Sequence, residues 1–138
     1  MLQRIQSIWL LLAAIFAAVT FRFPFYTGDY IPDEVVSVID LNAQTTIWLT
    51  IVSVITGALA FITIFLFDNR KLQLKLTFLG IFLSVLLLVM YFLEVNNFSS
   101  GSIALWCIFH FAMLATFIMA SRGIWKDEKL IKSMDRLR

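Results

Sequence analysis

The chain has 138 residues, of which 61% are hydrophobic and 14% charged; an average soluble domain is about 45–50% apolar and about 25% charged. Fourteen Phe and four Trp widen the departure. This composition excludes a disordered chain, a disulfide scaffold and a soluble globular domain, and leaves an integral membrane protein.

Four apolar segments follow one another: residues 5–21, 46–67, 76–93 and 103–121. Each is about as long as the 20 residues that cross a 30 Å hydrocarbon layer as a helix. None carries a charge at its centre, where one costs about 2.5–3.5 kcal/mol. The expected fold is all-α: four transmembrane helices in an up-down bundle, forming one membrane domain over 1–138. The first segment is read as a helix and not a cleaved signal, because its apolar run exceeds the usual h-region.

Charge sets the expected orientation. Arg4, Arg70, Lys71, Lys75, Arg122, Lys126, Lys129, Lys132, Arg136 and Arg138 fall on one side, and only Arg22 on the other. The positive-inside rule then places both termini in the cytoplasm and the loops 22–45 and 94–102 outside. Trp9, Trp48, Trp106 and Trp125 fall near helix ends, as interfacial aromatics do, and Phe21, Phe23, Phe25, Tyr26 and Tyr30 are expected at the outer interface. In the outer loop, Gly28 and Pro32 mark turns, and the β-branched run Glu34–Asp40 reads as a short strand too small for its own core.

The tail 122–138 reads as a short amphipathic helix. Leu130, Ile131, Met134 and Leu137 share one face, with Lys129, Lys132 and Arg136 around them. Two placements are open: a continuation of the fourth helix, or a helix on the membrane surface. Asp127, Glu128 and Asp135 interleave with the basic residues and read as a solvated face.

Little in the sequence points to chemistry. Cys107 is the sole cysteine, so no intramolecular disulfide can form. His110 is the sole histidine and sits within the fourth segment. A haem, metal or proton-relay role competes there with a neutral histidine hydrogen-bonded across helices. The outer acids lack the spacing of a calcium loop. No midplane carboxylate, paired cysteines or Asp/Arg/His cluster suggests a known membrane enzyme or antiporter. No cofactor, no metal and no nucleic-acid partner is expected. Small residues four apart occur in each segment: Ala14 and Ala18, Ser53 and Gly57, Gly80 and Ser84, Ala112 and Thr116. They suit close helix packing.

Two terminal stretches carry a family resemblance. Met1-Leu-Gln-Arg-Ile-Gln-Ser-Ile-Trp-Leu-Leu-Leu-Ala13 and Lys126-Asp-Glu-Lys-Leu-Ile-Lys-Ser-Met-Asp-Arg-Leu-Arg138 resemble a Bacteroidota family of short four-helix inner-membrane proteins, catalogued as a domain of unknown function. The resemblance implies a bacterial cytoplasmic membrane and no particular activity. It makes the terminal motif around Lys132, Ser133, Asp135, Arg136 and Arg138 an interaction candidate. With Lys129 added, these residues are the expected contact with a partner or with lipid.

Three functions are weighed. The first is a non-enzymatic accessory or scaffolding subunit of a larger inner-membrane complex, with a membrane-protein partner or a homo-oligomer. The second is a small transporter or channel for an apolar or lipid-like solute, acting as an oligomer. The third is a haem- or quinone-associated redox subunit using His110.

Overall fold

The computed structural model describes residues 3–30 and 37–138. Its elements in chain order are α1 (Gln3–Val19), β1 (Tyr26–Tyr30), β2 (Ser37–Leu41), α2 (Ile47–Phe65), α3 (Arg70–Val95), β3 (Phe98–Ile103), a 3-10 turn (Leu105–Cys107) and α4 (Ile108–Asp135). Three of the helices, α2, α3 and α4, are long and apolar enough to cross a membrane. α1 is a shorter apolar helix. At 1.5 Å per residue its 17 residues reach about 26 Å.

α1 packs on α2 and α4, and α3 packs on the same two helices. The surface they present is apolar: Ile51, Phe61, Phe78, Phe82, Phe92 and Phe111 are among the many large exposed side chains. The buried stripes are smaller and more polar. In α2 the stripe is Leu49, Ser53, Thr56, Ala60 and Thr63, and in α3 it includes Gln73, Thr77, Gly80, Ser84 and Tyr91. These intervals of three and four are one helix face. A polar interior with a greasy surface suits a solvent of lipid, where polar groups gain by turning inward.

Most of those buried hydroxyls are satisfied locally, Ser53 and Tyr91 being the exceptions. Thr56, Thr63, Thr77 and Ser84 each donate to the carbonyl four residues back, at 2.6–2.8 Å. Thr116 and Ser121 donate three residues back. At these positions the helices can therefore approach on small side chains with the donors paired. Gly80 is the closest approach: the Phe117 ring of α4 lies where a β-carbon would stand. Of the expected small-residue pairs, Gly80 and Ser84 lie wholly in an interface, whereas Ala18 is exposed.

The departure from an all-helical fold is a three-stranded antiparallel sheet in the order β2-β1-β3. It stands where α1 and α3 end and α2 and α4 begin. Ala43, ahead of α2, donates to the Thr20 carbonyl, and the Thr46 hydroxyl donates to Glu94 at the end of α3. β2 matches the second half of the run expected as a strand, while Glu34–Val36 lie outside the described residues. β3 falls in the stretch expected as a plain loop. Its Ser-Ser-Gly-Ser core reads locally as a turn, and pairing with β1 makes it a strand.

Phe25 joins the sheet to the helices. Its amide donates to Leu41 at 2.7 Å and its carbonyl accepts from Ala104 at 3.0 Å. Its ring is 1% exposed, so it is a core residue and not the interfacial aromatic expected. It stacks on Tyr91 at 4.9 Å and meets Phe92 and His110 edge-on at 5.5 and 5.0 Å.

Gly28 and Gly101 face each other across β1 and β3. A β-carbon on Gly28 would collide with the Ser100 carbonyl, and one on Gly101 would lie 2.7 Å from the Tyr26 ring. Gly28→Val should therefore part the strands and cost about 1–3 kcal/mol. Ser102→Ala, on an exposed position of the partner strand β3, should stay within about 0.5 kcal/mol of wild type. Thermal melting in detergent separates the two.

Candidate functional site

Two places concentrate polar side chains beyond what packing requires. One is inside the bundle near the sheet, and the other is the far end of α4.

Inside the bundle, Ser53 of α2, Tyr91 of α3 and His110 of α4 are each at most 1% exposed. The Ser53 hydroxyl, the Tyr91 hydroxyl and both His110 ring nitrogens have no formed hydrogen bond in the chain. Ser53 and Tyr91 face one another, and His110 faces the Cys107 backbone, in each case short of hydrogen-bonding geometry. The His110 ring is held by aromatic edges, 4.4 Å from Tyr91 and 5.0 Å from Phe25. The expectation of a histidine hydrogen-bonded across helices is therefore corrected: its contacts across helices are ring contacts. Among the described residues no three His, Cys, Asp or Glu side chains gather to hold a metal ion.

The hydroxyl of Tyr91 can be tested apart from its ring. Tyr91→Phe keeps the stack with Phe25 and gives up no formed hydrogen bond, so melting should be unchanged or slightly raised. Tyr91→Ala leaves a cavity and should cost about 3–5 kcal/mol. Equal losses in both variants would make the hydroxyl the anchor.

At the opposite end of the bundle, Gln6 of α1 donates its amide to the Asp127 carboxylate of α4. Asp127 is 7% exposed, which corrects the expectation of a solvated acid. Gly123 gives the Gln6 side chain room, since a β-carbon there would press on its Cγ at 2.9 Å. Asp127→Ala strands the Gln6 amide and should cost about 1–3 kcal/mol, most of which Asp127→Asn restores. A melting series of the two variants reads this directly.

α4 runs unbroken through this point to Asp135, so the tail continues the fourth helix. Lys129, Lys132 and Asp135 are exposed along it, and Arg136 and Arg138 are exposed just past its end. Only Lys132 of these has an ion pair among the described residues, to Glu128 at 2.9 Å one turn back. That hydrogen bond holds the Glu128 carboxyl below its usual range. The pair is thus formed at neutral pH and is lost only as the pH falls through that lowered value. Trp125, Glu128, Lys129 and Lys132 line a shallow notch on this face.

The other face of the same helix is apolar. Leu130 (43%), Ile131 (37%) and Met134 (63%) are exposed, as is Leu137 (88%) in the turn that follows the helix. By helical spacing they continue the side on which Ile124 and Asp127 are buried against the bundle. The face that packs inside therefore continues past Asp127, the last buried residue of α4. The residues singled out from the sequence are brought onto one projecting arm, but they do not converge on a pocket. The buried polar trio was missed apart from His110. Its signal was available, because Ser53 and Tyr91 sit in phase with the small residues of their helices.

The chain belongs to the family described as Domain of unknown function (DUF4293), whose model matches residues 2–137. No curated protein and no solved structure matches it.

Proposed function

We propose that the protein is a non-enzymatic accessory or scaffolding subunit of a larger bacterial inner-membrane assembly, and that the end of α4 is its docking arm. In this reading α1 is a fourth span and the helices form an up-down bundle with both termini cytoplasmic. Charge supports the orientation: Arg70, Lys71 and Lys75 open α3, and Arg122 to Arg138 close α4, at the end away from the sheet. Ten of the eleven basic residues then lie on the cytoplasmic side.

The observation that carries the proposal is the continuity of α4 beyond the bundle. Past Asp127, the last residue of α4 buried against the bundle, the helix rises about 12 Å to Asp135. An unbroken helix carries Leu130, Ile131 and Met134 away from the bilayer, with Leu137 in the turn that follows, so their exposed apolar face is placed to meet protein. Basic and acidic side chains beside it would fix register and orientation. Each exposed ion pair contributes only about 0.2–1 kcal/mol, so the apolar stripe supplies the larger share of affinity.

The test is purification in a gentle detergent from the native membrane, followed by mass spectrometry. A stoichiometric membrane partner is expected. Replacing Lys132, Asp135, Arg136 and Arg138 by Ala should lower its recovery about tenfold, equivalent to about 1.4 kcal/mol, with the melting temperature of the bundle unchanged. Unchanged recovery would remove the docking role of the arm. Purification as a lone chain or a homo-oligomer would move transport of an apolar solute ahead of it.

A further inference from the structure

A slot of about 270 Å³ opens sideways between α2 and α3, lined by Ile55, Ala58, Leu59 and Ile62 of α2 and Leu76 of α3. The α2 residues follow helical spacing over seven positions, which is about 10 Å along the axis. All five side chains are apolar. Ala58 forms the notch, and the isoleucines to either side form its walls.

One end of the slot is marked by charge. Leu76 follows directly on Lys75, which is exposed, and Arg70 and Lys71 stand in the first turn of the same helix. Asp68 is the single acid in the connection between the helices. The start of α3 adds the partial positive charge of a helix N-terminus. A slender apolar channel thus ends at a cationic rim, at the depth where the apolar stretch of α3 begins.

From this arrangement we propose that the slot is a binding site for one anionic phospholipid, with an acyl chain along Ala58 and the headgroup phosphate at Lys75. The apolar face of a second helix would fill the channel and offer Lys75 no countercharge. A zwitterionic lipid would fill the channel and leave the cationic rim without net charge opposite it. The site depends on α2 and α3 lying in a membrane and is independent of any docking by α4.

The experiment uses the full chain, stripped of lipid in detergent and exposed to vesicles of equal phosphatidylglycerol and phosphatidylcholine. Retained lipid is counted by native mass spectrometry. One phosphatidylglycerol per chain should be kept over phosphatidylcholine by about tenfold. Lys75→Gln should reduce that preference to about twofold or less while some lipid is still retained. Ala58→Phe should abolish retention of both lipids, with the melting temperature of the lipid-free protein within a few degrees of wild type. Equal retention of the two lipids by the wild type would overturn the proposal. So would a preference that survives Lys75→Gln, retention that survives Ala58→Phe, or a second protein chain released by Ala58→Phe.

Discussion

The two backbone hydrogen bonds of Phe25 hold the sheet end of the molecule together. One runs to Leu41 ahead of α2, the other to Ala104 ahead of α4, and the residue itself follows α1. Three connections are thereby tied at a single residue. The ring then enters the bundle and rests on Tyr91 and His110, which adds α3. Every helix is referred to this point, directly or through one neighbour. The second cluster of buried apolar side chains, with Leu41, Leu49, Leu87 and Phe98, packs around it.

Away from that point, the helices hold together by a different means. Lipid offers no hydrogen bonds and little hydrophobic drive between spans. The interface between helices combines small apolar residues such as Ala13, Ala17, Ala60 and Ala120 with Thr and Ser side chains, most of whose donors are returned to their own helix. This leaves van der Waals contact as the main attraction, and contact improves as side chains shrink. Gly80 against Phe117 is the clearest instance, a ring seated on bare backbone. At the far end, where α4 leaves the bundle, the Gln6–Asp127 hydrogen bond joins the two helices through side chains.

Much of this was legible in the residues. The apolar runs located the helices because, in lipid, length and apolarity are nearly sufficient to define a span. The continuation of α4 was one of two open readings, since amphipathicity alone is equally compatible with a membrane surface. β3 was not legible. Ser99, Ser100, Gly101 and Ser102 have weak strand preference, and they adopt one because β1 presents an open edge and a facing glycine. The sequence alone points Phe25 to the interface, because aromatics gather there. Its burial depends on the sheet folding over the bundle, which no local pattern announces. Asp127 was read as solvated because its neighbours in sequence are charged, while its partner lies 121 positions away.

The strand order carries a consequence for how the protein is made. β1 lies in the middle of the sheet, yet one of its two partners, β3, is encoded after α3. During synthesis the hairpin of β1 and β2 emerges with α1 and α2 and must wait, one edge open, until about 70 further residues have followed Tyr30. Phe25 likewise lacks its rings and one of its backbone partners until then. The first two helices thus form a stage that awaits the later pair. Release of the nascent chain before Ile103 should leave β1 without β3, a species exposed to quality-control proteases.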